Sequence, residues 1–230
     1  MRRTVTIGVA LVAVLILLPY LIAPLYRFID PISTPMLWRW VTGQRVERTV
    51  VPIGHIAPAL PLAVIVAEDG SFCHNRGIDL GAIRAVLTKA GDDPGDVARG
   101  ASTLTQQAAK NLFLWGGRSF VRKALELPLA LWLNLVLPKK RVLEIYLNIA
   151  EWGPNGEFGV EAGSHYAFGK SAHDLSPHEA AELAAILPNP VRRSARHPDI
   201  LVRRLGALYV DRSETYGALD ACVREPRNGP

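Results

Sequence analysis

Apolar and polar positions fall in long blocks along this chain. The first block, Val5 to Ala23 (VTIGVALVAVLILLPYLIA), runs nineteen residues without a charge behind Arg2 and Arg3. At about 1.5 Å per residue it is long enough to cross a hydrocarbon core of about 30 Å. A signal peptide shares the basic start and apolar middle, but its apolar region is usually about 7–15 residues, and no small-x-small cleavage site is evident here. The pattern predicts a membrane anchor over 5–25 behind a tip of 1–4, which the arginines hold in the cytoplasm.

Polar and apolar positions then mix over 26–60, where Pro31, Pro35, Pro52 and Pro58 interrupt any long element. This reads as a connector with one short strand around Thr49 to Ile53. Trp38 and Trp40 sit in it either at head-group depth or packed on the domain. From Pro61 the run LPLAVIVA passes abruptly to Glu68 and Asp69. Asp79 caps a helix through Lys89, and Gly91 with DDPGD makes a loop. A helix starting near Ser102 puts Thr103, Gln106, Gln107 and Lys110 at spacings of three and four, on one face. Gly116 and Gly117 break it, and on the next helix Arg118, Arg122 and Glu126 are each four apart.

Two further helices follow, separated at Pro138, with Pro128 expected to kink the first. After the turn GPNGEFG comes a helix through VEAGSHYAFGK. The capping box Ser176-Pro177-His178-Glu179 opens another that ends before Pro188. The main domain is thus 61–198, and 199–230 is an arginine-bearing tail with a frayed end. At least seven helices and little strand make the fold mainly α.

Composition adds three points. A net charge of +5 and a pI near 9.4 suit anionic head groups or a phosphorylated substrate as well as ordinary surface charge. No nucleic-acid module is apparent. Cys73 and Cys222, the only cysteines, either pair in an oxidising compartment or stay reduced. His165, His173, His178 and His197 have no metal-ligand spacing.

The candidate chemistry lies in the two carboxylates and the cations. Glu68 ends a buried apolar segment, where partial desolvation would raise its pKa and suit it as a base; the plain alternative is a solvated last turn. Arg122 and Glu126 have the spacing of a surface ion pair worth about 0.3–0.5 kcal/mol. Beside the polar face of the preceding helix they form a candidate anion site instead.

Three blocks carry a resemblance: Glu68-Asp69 with Phe72 and Gly77; GASTLTQQ from Gly100 with Lys110 and Asn111; and Arg122-Lys123 with Glu126, followed downstream by YLNIAEWG. Together they resemble the glycosyltransferase family 51 peptidoglycan polymerases, over roughly Pro61 to Pro190. The chain looks like the members with one membrane anchor and this domain alone, being too short for the transpeptidase domain of bifunctional relatives and lacking its SxxK motif.

The resemblance implies a lysozyme-like, bilobed, mostly helical glycosyltransferase domain, held at the bacterial inner membrane and facing the periplasm. It implies lipid II and the nascent glycan strand as substrates, membrane lipid as surroundings, and other wall-synthesis or division proteins as possible partners. Inversion at an α-linked donor gives a β-1,4 strand and releases undecaprenyl diphosphate. By the family pattern Glu68 is the general base, while Glu126 assists the leaving group or orients cations. Lys110, Arg118, Arg122 and Lys123 bind phosphates, and Ser102, Thr103, Gln106, Gln107 and Asn111 belong to the substrate-binding set. Glu144, Asn148, Glu151 and Trp152 read as structural, with Arg141 supporting Glu144. No metal site or cofactor is required, and whether a divalent cation assists the diphosphate stays open.

Two positions depart from the pattern. Asn75 stands where the family usually has histidine, with His74 one position early, and Asn134 replaces a common glutamate. Two other functions fit a lysozyme-like fold: a glycan-cleaving enzyme, and an inactive membrane-anchored scaffold. The first needs no cation cluster, and the second would not need both glutamates.

Overall fold

A computed structural model describes residues 2–89, 102–117 and 119–224. The loop expected at Gly91 with DDPGD lies outside these residues. Helix α1 (Arg2–Ile22) runs on through a 3-10 turn, Ala23–Arg27, and its side chains from Val14 to Leu18 are exposed, as is Leu21, with Leu15 and Leu21 at 70% and 73%. It is long and apolar enough to cross a membrane. Ser33 caps α2 (Thr34–Val41), from which Trp38 and Trp40 project at 67% and 50% exposure. The two tryptophans are therefore not packed into the domain.

The domain's core rests on α3 (Ala59–Glu68). Leu60, Ala63, Val64, Ile65 and Val66 are all buried, so this helix is covered on nearly every side and its polar groups collect at the C-terminal end. It packs against α9 (Pro177–Ile186) and α10 (Ile200–Thr215). A second group is formed by α5 (Leu104–Phe113), α6 (Phe120–Val136) and α7 (Lys139–Ile149). Between them in sequence lie α4 (Leu80–Lys89), capped by Asp79, and α8 (Val160–Phe168), which ends at a left-handed Gly169. These are ten α-helices among the described residues, and the mainly α expectation holds. Pro128 lies inside α6, which continues past it as one element.

Two local expectations need correction. The strand is β1 (Glu47–Arg48), earlier and shorter than Thr49 to Ile53, and it pairs in parallel with β2 (Glu157–Phe158). Val51 is extended because the Asn148 carboxamide takes its N–H at 2.9 Å and gives an N–H to its carbonyl at 2.8 Å. A side-chain amide thus does the work of a neighbouring strand. The tail is also more ordered than its arginines suggest. Asp199 caps α10, and Val202, Gly206 and Tyr209 are buried, so the packed body runs past 198. Residues 225–230 lie outside the described set.

Polar ties fasten the connector to the domain. Arg39 pairs with Glu151 at 2.6 Å, and Glu144, paired with Arg141, accepts the Ile53 N–H at 2.7 Å. Glu144, Asn148 and Glu151 each hold a connector residue, Ile53, Val51 and Arg39 respectively. Trp152 is fully buried, and a Cβ on Gly163 would fall 2.4 Å from its own Cβ.

Cys73 and Cys222 form a disulfide across 149 residues, which decides between the two states open to them. It joins the end of the chain to the loop just after α3. Cys73→Ser/Cys222→Ser should lose about 2–4 kcal/mol of stability, and reductant should lower the melting temperature of the wild type but not of this variant. Thermal melts with and without dithiothreitol check this.

Candidate active site

Helix α3 ends at Glu68 because Asp69 leaves the helical region (φ −159°). Asp69 is 7% exposed, yet its carboxylate is well supplied with donors. It accepts the Leu104 N–H at 3.0 Å, the Ser71 hydroxyl at 3.1 Å, and Asn75 Nδ2 at 2.9 and 3.1 Å on its two oxygens. Leu104 is the first residue of α5, so the aspartate joins the end of one helix to the start of another. Burial raises the Asp69 pKa, and these hydrogen bonds oppose the rise.

Asn75, the departure from the family pattern, is a junction. Besides binding both oxygens of Asp69 it accepts the Gly77 N–H at 3.0 Å and the Lys139 ammonium at 2.9 Å. The Lys139 ammonium also lies 4.7 Å from the Phe72 ring centre, and burial lowers its pKa to about 8. His74, one position away, is exposed. Asn134 lies against Gly77, where a Cβ would meet the Asn134 Cβ at 3.0 Å and the Ala130 carbonyl at 2.6 Å.

Glu68 has a sparser environment. Its Oε2 accepts Gln107 Nε2 at 2.8 Å. Burial raises its pKa, partly countered by the Gln107 hydrogen bond and then by the charges of Lys110 and Arg193. A pocket of about 230 Å³ opens beside it, lined among others by Asp69, Ser71, Asp79, Ser102 and Thr103.

Helix α5 supplies the polar face, but with a different division of labour from that expected. Thr103 is the N-cap and not a face residue: its hydroxyl accepts the Gln106 N–H at 3.1 Å and donates to the Gly77 carbonyl at 2.6 Å. Gln106 turns back to accept the Thr103 N–H at 2.8 Å and is fully buried. As a capping box, these two start the helix. The Nε2 of Gln106 has no partner among the described residues, and Thr103 lines the pocket beside Glu68. Gln107 and Lys110 remain on the Glu68 side. Asn111 gives its carbonyl to the Thr34 hydroxyl at 3.1 Å, a tie to α2.

Glu126 is 3% exposed and lies between two cations, accepting Arg122 at 2.7 Å and Lys123 at 2.5 Å. Lys123 also donates to the Ser102 hydroxyl at 2.9 Å, and Arg122 Nε to the Gly117 carbonyl at 3.0 Å. The Arg122–Glu126 pair is therefore no solvated surface pair. Arg118 lies outside the described residues. Burial lowers the Lys110 pKa, and its ammonium feels the negative charges of both Glu126 and Glu68. One lysine is thus within electrostatic reach of both the α3 carboxylate and the charged cluster of α6. Among the described residues no group of His, Cys, Asp and Glu forms a metal-binding set.

Tyr146, which the sequence did not single out, belongs to the site. Its hydroxyl donates to Gln107 Oε1 at 3.1 Å from the second helix group. Only its place in the YLN segment hinted at it.

The sequence model of a family described as transglycosylase matches residues 36–209, more than half of the chain. Three relatives named biosynthetic peptidoglycan transglycosylase are similar over nearly full length. The protein of Nitrobacter hamburgensis is 56% identical over 227 residues, 99% of each chain. That of Rhodopseudomonas palustris strain TIE-1 is 56% identical over 98% of this chain and 94% of its own. The Agrobacterium fabrum protein is 47% identical over 91% and 92%.

Because its folded-state pKa is raised, Glu68 contributes stability below the ordinary glutamate range, about 4.3, and loses it as the pH rises through the folded value. Glu68→Gln carries no such penalty. Its melting temperature relative to wild type should therefore be higher at pH 7.5 than at pH 4, as calorimetry at the two pH values will measure.

Proposed function

The chain belongs to the transglycosylase family, and from that membership and the site's geometry we infer that it is a peptidoglycan glycosyltransferase whose base is Glu68. Lipid II and the growing lipid-linked strand are its substrates. The 4-hydroxyl oxygen of the acceptor bonds to the donor's anomeric carbon as the bond from that carbon to the diphosphate oxygen breaks. The hydroxyl proton passes to Glu68, and undecaprenyl diphosphate leaves with the bond's electron pair.

The observation that carries this reading is the buried Arg122–Lys123–Glu126 cluster, whose charges act on Lys110 together with that of Glu68. A polymerase must remove a proton at one point and receive a dianionic leaving group a short distance away. Cleavage of a finished strand releases a neutral sugar and makes no use of the cations. With Glu126 enclosed between Arg122 and Lys123, its proposed role is to hold these cations for the phosphates. In this reading Arg118 and Lys110 join them, Ser102 orients Lys123, and a divalent cation is not required.

The anchor lies across the bacterial inner membrane, with the N-terminus cytoplasmic and the domain periplasmic. Leu37, Trp38 and Val41 of α2 and Trp115 are exposed around an apolar pocket of about 740 Å³, which supports a domain seated at the lipid surface.

Purified protein supplied with lipid II alone is expected to make polymer. Glu68→Gln should reduce the rate by about 10²–10⁴-fold with the fold intact, the usual contribution of a general base. Polymerisation by this variant at the wild-type rate would overturn the assignment.

A further inference from the structure

Three polar groups line up across the site: Tyr146 Oη, the carboxamide of Gln107, and Glu68. The hydroxyl donates to Gln107 Oε1 at 3.1 Å, and Gln107 Nε2 donates to Glu68 Oε2 at 2.8 Å. Tyr146 is 2% exposed, so its hydroxyl hydrogen must find an acceptor inside the protein. Among the described residues the acceptor it finds is Gln107. Burial, and then the charge of Glu68, keep this hydroxyl protonated and therefore a donor.

We propose that Tyr146 is a positioning residue for the reaction: its hydroxyl locks the Gln107 carboxamide so that the amide N–H, and not the carbonyl, faces Glu68. The two ends of a carboxamide have nearly the same shape but opposite hydrogen-bonding sense. With the N–H toward Glu68 the ionised carboxylate is favoured. Turned over, the carbonyl would face the carboxylate and favour its protonated form, which cannot accept a proton. The buried hydroxyl excludes that orientation, because the turned amide would leave its hydrogen without an acceptor. Tyr146 thereby controls the proton affinity of Glu68 without touching it.

Other charges act on Glu68 as well. Lys110 faces it from α5, Asp69 adjoins it, Arg193 acts from the segment after α9, and the hydroxyl of Tyr209 lies near it from α10. None of these orients the amide, so the effect of Tyr146 is separable from theirs.

The inference rests on Glu68 being the base, and the experiment distinguishes failure of the two. The pH dependence of lipid II polymerisation is measured for wild type, Glu68→Gln, Tyr146→Phe, Gln107→Met and Tyr146→Phe/Gln107→Met, all as full chains in detergent. Tyr146→Phe should move the acid limb of the kcat profile upward by about one pH unit, leaving activity on that limb about tenfold lower, with KM little changed. Gln107→Met should move the limb the same way. The double variant should move it no further than Gln107→Met, since the hydroxyl acts through the amide. An unmoved limb in Tyr146→Phe, or additive shifts in the double variant, overturns the proposal while the base assignment stands. An active Glu68→Gln overturns both. If Tyr146→Phe does not fold, the wild type decides by NMR: the Gln107 side-chain amide protons must shift as Glu68 ionises, and constant shifts overturn the proposal.

Discussion

The buried carboxylate of Asp69 is the contact on which the rest of the site depends. It closes α3, receives the first backbone N–H of α5, and is held by Asn75, which is held in turn by Lys139 at the start of α7. Helices from both packing groups are therefore tied at one side chain, α3 and α5 directly and α7 through Asn75. An acid so buried is tolerable only because donors surround it. Glu68, the next residue back, has one hydrogen-bond donor among the described residues, and a pocket. Two adjacent carboxylates thus have different surroundings, one enclosed by donors and the other, the proposed base, beside a pocket.

The cations follow the same division. Arg122 and Lys123 are paired by Glu126, and Ser102 and the Gly117 carbonyl fix their remaining donors. Lys110 is held among charges of both signs. The cluster is therefore in place before any anion arrives, and in the proposed reaction little reorganisation would accompany the departure of the diphosphate.

Much of this architecture was legible from the residues, because capping boxes and apolar runs are local signals. Ser176 with Glu179, the break at Pro138 and the apolar approach to Glu68 all lie where the pattern puts them. The capping box of Thr103 and Gln106 was not seen, because spacing records which face a residue is on and not which of its polar atoms the backbone uses. The strand was displaced because Val51 pairs with a side chain 97 residues away. Asn75 stands where the family usually has histidine, and its carboxamide supplies both a donor for Asp69 and an acceptor for Lys139. Tyr146 was invisible because its polar contact lies 39 residues off and its ring reads as core.

The Cys73–Cys222 bond adds a condition on timing. Cys73 belongs to the loop that carries Asp69 and Asn75, while Cys222 emerges from the ribosome 149 residues later. The loop beside Glu68 can therefore be pinned only after α10 has been made and the two thiols have met an oxidising environment. In the proposed orientation a chain still held in the cytoplasm would keep both thiols. Covalent closure of the site would then mark a polymerase that has reached the side of the membrane where its product is built.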